Sequence, residues 1–465
     1  MKFIKQNYLL ILISALSFFI RLISLNQSYW LDEATTAQVC KNFSLIEIIT
    51  KFSPGDFHPP LYYLIAKIWS NLFGVGEIQL RMLSVLFGVF SVIVIYKVAE
   101  KISGKAFALT TSVLLATSPL HIYYSQEARM YILETFFVLL SVFFYQKILE
   151  KESLMNWIVF SFSIILIGFT DYLPLLIVPT FLIHSIFVKK DFKLFRNLLV
   201  SLLPFSILFS YWFPVFKNQF LGGISVVSNS PGWWKVLGRF SVKEVLLIPI
   251  KFVTGRISIS NKFYYFPIFT PYILLSLLFC FKKRKNSNIY YPLLWFFVPL
   301  LLIILLSLKI SVLSYFRLLF ILPAFYLILS YALDQQNKKV KNVFLYTFIV
   351  LNLIFSFIYL LNPKFHRENW RDAVAFIEAT SPGDQAETLF VTNSQMEAYN
   401  YYSSGSIKTV APGHFEAKSK TIWLMRYVQD IFDPEDSVRI DLEKAGYQKT
   451  EEHDFNGVVV FRYDK

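Results

Sequence analysis

Residues 8–33 read YLLILISALSFFIRLISLNQSYWLDE. The run from Tyr8 to Leu25 is apolar over nearly the ~20 residues that a membrane-spanning helix needs. A short polar stretch then ends in the acidic pair Asp32-Glu33. Lys2 and Lys5 precede the run, which places the N-terminus on the cytoplasmic side. No small-residue cleavage site follows, so the segment reads as a retained helix. The acidic pair therefore faces outward, at a membrane surface, and His58-Pro59-Pro60 follows in the same polar loop.

The rest of the chain repeats the pattern. Of 465 residues, 55% are hydrophobic and 16% charged, so carboxylates are scarce and their positions informative. The formal charge of +14 would suggest nucleic acid in a soluble chain. Here the Lys and Arg punctuate apolar spans, which makes them topology signals and contacts to anionic lipid. Cys40 and Cys280 lie far apart, show no metal-like spacing and say nothing of redox compartment.

Apolar length and flanking cations predict about eleven spans. The second, Arg81 to Ala99, returns to Lys101 and Lys105, and the third, Ala106 to Leu120, leads out to a polar stretch, His121 to Tyr131. A fourth ends at Lys147 and Lys151. The fifth and sixth form a hairpin over Trp157 to Val188 with Asp171 at its tip, ending at Lys189, Lys190, Lys193 and Arg196. The seventh, Leu198 to Phe216, opens a long outer loop containing Gly222-Gly223, Pro231-Gly232 and Trp233-Trp234. The eighth descends to Lys282-Lys283-Arg284-Lys285. The ninth, Pro292 to Leu308, and tenth, Tyr315 to Leu333, enclose an outer turn carrying Lys309 and Arg317. The eleventh, Val343 to Leu361, comes after Lys338, Lys339 and Lys341 and exits outward.

The third and fifth spans are short, about 15 and 14 residues, so their outer ends should lie below the membrane surface. Glu127, Arg129 and Asp171 would then line a recess. Leu61 to Phe73 is too short to span and contains Lys67, which suits a helix lying in the interface. Residues 1–361 form the membrane domain. Residues 362–465 read as a small extracytoplasmic α/β domain, with helices at Trp370 to Thr380 and Asp436 to Ala445 and strands at Thr388 to Thr392, Thr421 to Arg426 and Gly457 to Tyr463. No Walker sequence, glycine-rich nucleotide loop or fixed repeat is present.

Several stretches resemble the integral-membrane glycosyltransferases of the GT-C class, in particular glycosyltransferase family 39, the protein O-mannosyltransferases, and the related lipid A aminoarabinose transferase. They are Leu31-Asp32-Glu33-Ala34, His58-Pro59-Pro60-Leu61-Tyr62-Tyr63, Phe73-Gly74 followed by Arg81, Tyr123-Tyr124-Ser125-Gln126-Glu127-Ala128-Arg129-Met130-Tyr131, and Tyr315-Phe316-Arg317 leading to Pro323. Their order and sidedness agree over the first ten spans, about two thirds of the chain.

The resemblance implies a GT-C fold and transfer of a sugar, mannose or another hexose or pentose, from a polyprenyl-phosphate carrier to a hydroxyl on the outer face, with inversion. The acceptor would be a protein, lipid or glycan, and the location the plasma membrane. That chemistry needs a carboxylate to take the acceptor's proton and cations to hold the departing phosphate. By position in the family's motif Asp32 is the base, and Glu33 orients the acceptor or shares that role. Arg81, Arg129 and Arg317 match positions around the lipid phosphate, with Lys309 beside them, because a forked, permanently charged guanidinium suits that anion. His58 would bond a carboxylate or the phosphate, and Glu127 and Tyr131 would complete the pocket. No cofactor is implied; a divalent metal on Asp32, Glu33, His58 and Glu127 stays open, although no dense spacing indicates one.

Each of these residues also has a structural reading. Asp32-Glu33 could cap the helix that begins near Ala34, the arginines could be interfacial anchors, and Asp171 could be a loop residue. A transporter of lipid-linked sugars, or an outer-face glycan polymerase or ligase, is the alternative function. The first should place its polar groups near the midplane, and the second should have a late outer-loop site.

Overall fold

The computed structural model describes residues 2–229, 232, 238, 240–280, 289–381, 385–411 and 419–465. The pair Trp233-Trp234 and the cluster 282–285 lie outside them. Among the described residues six helices are long and apolar enough to cross a membrane: Glu77–Ala116, Tyr131–Glu150, Phe192–Ser225, Tyr290–Ser307, Tyr315–Asp334 and Lys338–Leu361. Four shorter apolar segments, Asn7–Leu22, Leu154–Thr170, Leu173–Val188 and Tyr265–Ser276, accompany them. Every expected span coincides with one of these. The second and third share the run Glu77–Ala116, which breaks at Ser103 and at Gly104, where φ is +80°. That break falls between Lys101 and Lys105, and glycine there meets no steric penalty for left-handed backbone.

The largest departure is the seventh span. Its helix runs Phe192–Asn229, well past Phe216, with Pro204 and Pro214 inside it. Prolines are tolerated in membrane helices where neighbours satisfy the freed carbonyls. The extension is held from the side: the Gln219 amide donates to the carbonyls of Ser53 (2.6 Å) and His58 (3.0 Å), and accepts from the Tyr172 hydroxyl. The long segment after the seventh span contains regular structure as well. Val242–Thr254 is a helix whose N-cap, Ser241, accepts from the Glu244 amide.

Leu61–Phe73 is a helix with the expected bounds, closed by Gly74 at φ +91°. Tyr62, Tyr63, Ala66 and Ser70 form its buried face, while Ile68, Leu72 and Phe73 are exposed on the other. A helix apolar on both faces and only 13 residues long suits an interface between protein and lipid.

Beyond Leu361 lies a five-stranded sheet of order β2-β1-β3-β5-β4. Its strands are β1 (Ala386–Phe390), β2 (Lys408–Val410), β3 (Thr421–Met425), β4 (Gln448–Phe455) and β5 (Val458–Asp464). The β1–β2 and β1–β3 pairs are parallel, and β5 pairs antiparallel with β3 and β4. β2 and β4 lie beyond the strands expected from sequence. β2 is three residues long, and β4, QKTEEHDF, carries too little apolar character to announce itself. β4 and β5 join through Asn456-Gly457, both at positive φ (52° and 99°), as a two-residue hairpin turn requires.

This domain is docked on the loop between the first two expected spans rather than tethered. The Tyr402 hydroxyl accepts from the Tyr29 amide (2.7 Å) and donates to Glu77 (2.8 Å), the Tyr401 hydroxyl donates to the Val75 carbonyl, and Arg371 donates to the Asn26 carbonyl. One continuous buried cluster includes Tyr29 from the loop and Trp370 and Trp423 from the domain.

Candidate active site

The acidic pair lies in the first turn of the helix Leu31–Asn42, whose N-cap is Trp30. No side chain caps it. Adjacent helical residues point about 100° apart, and here that separates the two carboxylates into different environments. The Asp32 side chain is 39% exposed, whereas that of Glu33 is 0% exposed.

Glu33 is fully engaged. Arg81 grips it bidentately, Nε to Oε1 at 2.8 Å and Nη2 to Oε2 at 2.5 Å, and the Ala128 amide donates to Oε1 at 2.7 Å. Arg367 Nε lies 3.4 Å from Oε2. Arg81 spends its remaining donors on the carbonyls of Leu25, Gln27 and Ser28, fixing the turn between the first span and the acidic helix. Burial alone would raise the Glu33 carboxyl, but Arg81 and Arg367, with the Ala128 amide, hold it below the usual carboxylate range.

Arg367 comes from the segment that leads out of the last span, and sequence reasoning assigned it nothing. It lies 3.3 Å from Glu127, donates to the Tyr359 hydroxyl at 3.0 Å and stacks on Tyr123 with 4.5 Å to the ring centroid. Its own amide is held by Gln27 at 3.2 Å. Glu127, with Ser84 bonded to its carbonyl, is buried, not exposed in a recess as its place after a short span suggested. Burial pushes its carboxyl up to about 7, against the pull of Arg367 and with reinforcement from Glu33.

That value carries a pH prediction. A carboxyl raised above its ordinary value takes up a proton on folding, so its contribution to stability is full below the unfolded pKa and is lost as pH rises toward 7. Ionisation also removes one unit of positive charge from the cluster. If the neighbouring cleft binds an anion, KM for that anion should rise as pH passes 7, and Glu127→Gln should flatten the profile. Measuring KM from pH 5.5 to 8.5 on both proteins checks this.

Asp32 faces the open side. Arg129 Nη2 lies 3.7 Å from its carboxylate. Arg129 is buried, stacks over Tyr63, donates to the Tyr63 hydroxyl at 3.0 Å and has no hydrogen-bond partner for Nε. A buried guanidinium with a spare donor beside an open carboxylate is suited to an incoming anion. Tyr63 in turn donates to Asp56 (2.9 Å), which also holds the His58 amide and Nδ1 at 3.3 Å. Burial would raise Asp56, yet His58, Arg129 and Tyr63 hold it down at about 2. His58 thus reaches a carboxylate, as expected, but it is Asp56, which sequence reasoning passed over although it lies two residues away.

A further arginine emerges from the long segment after the seventh span. Gly255, at φ +62°, approaches Pro119 so closely that a Cβ would sit 3.0 Å from the proline ring. This delivers Arg256 to the Tyr123 hydroxyl (2.6 Å) and ring (5.1 Å to the centroid). Lys251 holds the carbonyls of Arg256 and Ile257 from below. Arg256 is exposed, with Tyr123, Tyr124, Tyr315 and Glu368 within electrostatic reach. Its signal in the sequence was the basic, glycine-bearing character of that loop.

Of the remaining expected residues, Tyr131 is buried against Tyr124 and Phe316. Arg317 is half-buried, donates to the Ser311 carbonyl at 3.1 Å and lies within electrostatic reach of Tyr131. Lys309 is exposed beside an apolar groove lined by Phe220, Leu302, Leu305, Leu306 and Ile310. Asp171 ends the helix Leu154–Thr170 and accepts from the Leu173 amide, a loop role. Among the described residues no three His, Cys, Asp or Glu side chains converge as a metal site would require.

Residues 57–212 match the family model of dolichyl-phosphate-mannose-protein mannosyltransferases. The stretch includes His58, Arg81, Glu127, Arg129 and Tyr131. An uncharacterized protein of Aquifex aeolicus is 27% identical over 392 residues, 77% of this chain and 72% of that one. Among solved structures, ArnT from Cupriavidus metallidurans bound to undecaprenyl phosphate superposes with a TM-score of 0.61 at 12% identity, covering 99% of this chain and 98% of that chain. The Archaeoglobus fulgidus oligosaccharyltransferase tethered to an acceptor peptide gives 0.55 at 11% identity, covering 99% and 74%.

Proposed function

We propose that this chain, a polytopic helical membrane protein with the GT-C glycosyltransferase fold, moves a sugar from a polyprenyl-phosphate donor to an acceptor hydroxyl. The observation that carries the reading is an open carboxylate, Asp32, beside the under-bonded guanidinium of Arg129, with the exposed Arg256 and Asp32 both within electrostatic reach of Tyr427.

Asp32 accepts the proton of the acceptor hydroxyl as its oxygen attacks the anomeric carbon. The bond from that carbon to the phosphate oxygen breaks, and the carrier departs as polyprenyl phosphate, its charge met by Arg129 and Arg256. Attack opposite the leaving group inverts the centre. Glu33 does not share the base role, because both its oxygens are committed to Arg81, Arg367 and the Ala128 amide. It fixes the floor on which Asp32 stands. The solved relatives offer supporting ligand chemistry, since one is described with undecaprenyl phosphate and another with a dolichol-phosphate.

The cations flanking the spans support a cytoplasmic N-terminus, with the cleft and C-terminal domain on the outer face of the plasma membrane. Mannose is the first sugar to test, with a protein, lipid or glycan hydroxyl as acceptor. The test is release of radiolabelled hexose from polyprenyl phosphate by purified protein in lipid, with water or a panel of alcohols as acceptors. Release is expected in wild type. In Arg256→Ala, KM for the donor should rise at least roughly tenfold, as loss of a charged hydrogen bond predicts. Movement of intact labelled lipid between leaflets without release would replace this reading with a transporter.

A further inference from the structure

The C-terminal domain contributes two polar side chains to the cleft that the transfer mechanism leaves unused. Glu368 follows Arg367 directly and accepts a hydrogen bond from the Tyr427 hydroxyl at 3.3 Å. Glu368 lies within electrostatic reach of Arg256, and Tyr427 within reach of both Arg256 and Asp32.

Both are held by built structure. The β4–β5 hairpin turn clamps the segment below Glu368, since Asn456 Nδ2 donates to the carbonyls of His366 (3.1 Å) and Arg367 (2.9 Å). Gly457 lies against Glu368, a Cβ there being 3.5 Å from its Cγ. The Tyr427 ring packs edge-on to Trp370 at 5.3 Å, and the Gln395 amide donates to the Tyr427 carbonyl. The next residue, Val428, sits at φ 52°, ψ 23°. A β-branched residue in left-handed backbone is a genuine outlier, retained only where the surroundings over-determine it. Gly232, from the long outer loop, closes against Asp430 and Ile431 so tightly that a Cβ would lie 3.1 Å from backbone.

We infer that Glu368 and Tyr427 are specificity-determining residues that read the hydroxyls of the donor sugar. The inference rests on the transferase reading. The sugar ring must lie between the base and the phosphate, because its anomeric carbon bonds to one and is attacked beside the other. The hydrogen-bonded Glu368–Tyr427 pair reaches both ends of that interval electrostatically, Tyr427 to Asp32 and both residues to Arg256. A carboxylate accepting from adjacent hydroxyls and a phenol that both donates and accepts can separate epimers. A site built to bond a hydroxyl penalises its absence far more than an apolar wall does.

The experiment compares polyprenyl-phosphate mannose, glucose and galactose as donors for wild type, Glu368→Gln and Tyr427→Phe. Wild type should favour one donor by roughly tenfold or more. In both variants kcat/KM for that donor should fall roughly tenfold while the poorer donors change little, so discrimination collapses. Affinity for sugar-free polyprenyl phosphate should stay within about twofold. Tyr427→Phe keeps the ring on Trp370 and suffices if Glu368→Gln is poorly folded. Unchanged discrimination, equal use of all three donors by wild type, or an equal loss of sugar-free carrier affinity overturns the inference. Absence of transfer from every donor in wild type overturns the transferase reading itself.

Discussion

Asp32→Asn should lower sugar transfer by ~10²–10⁴-fold, the usual contribution of a positioned general base, while donor affinity changes by no more than about twofold. The substitution is nearly isosteric and removes no buried bond, because the Asp32 side chain is 39% exposed and its distance to Arg129 is 3.7 Å. Donor affinity should hold because the proposed mechanism assigns the phosphate to Arg129 and Arg256 rather than to Asp32. Its neighbour cannot take over. Glu33 is sealed, and freeing one of its oxygens would strand Arg81 or the Ala128 amide. Initial rates with labelled donor, together with the Kd of sugar-free carrier phosphate, separate the two effects. Near wild-type turnover in Asp32→Asn would move the base elsewhere, with Asp56 the next carboxylate along the Arg129–Tyr63 chain.

Legibility in the sequence divides along contact distance. Local signals were readable. The interfacial helix Leu61–Phe73 was bounded by Pro60 and Gly74, the turn between the second and third spans by Lys101 and Lys105, and the helix Trp370–Thr380 by its apolar period. Asp32 was legible as a scarce acid at a membrane surface. Its difference from Glu33 was not, since adjacent residues on a helix diverge in fate only through what packs on each face. Arg81 was placed with the lipid phosphate, but its donors are consumed by Glu33 and three carbonyls, which only the folded turn supplies. Arg256 and Arg367 were hidden for the same reason. The Arg367 amide meets Gln27 across 340 positions, and no pattern of period 2 or 3.6 encodes such a pairing. One missed feature was local: Asn456-Gly457 is a hairpin dipeptide, and reading it would have found β4 and the clamp below Glu368.

The second large effect concerns Arg367. Arg367→Met should destabilise the protein by about 3–5 kcal/mol, the range for removing one partner of a buried ion pair, and should abolish activity by disordering the floor under Asp32. Arg367 is the shared cation of Glu33 and Glu127, at 3.4 and 3.3 Å, and all three are almost fully buried. Without it Glu33 keeps Arg81, but Glu127 loses its ion-pair partner in the cluster and must be neutral. A companion change separates charge from packing. In Arg367→Met with Glu127→Gln no carboxylate is left stranded, so a substantial part of the lost stability should return, whereas Glu127→Gln with Arg367 intact should cost little. Thermal unfolding in detergent at pH 6 and pH 8 provides a second check. The penalty of Arg367→Met alone should be larger at pH 8, where Glu127 would otherwise be charged, and the double variant should lose that pH dependence. Equal losses in the single and double variants at both pH values would show that Arg367 acts through its packing on Tyr123 and Tyr359 rather than through charge. Since Arg367 opens the C-terminal domain, removing residues 362–465 should cost at least as much as Arg367→Met, because the domain's first residues complete the electrostatics of a site otherwise built from the segments after the first and third spans, the start of the second, and Arg256 beyond the seventh.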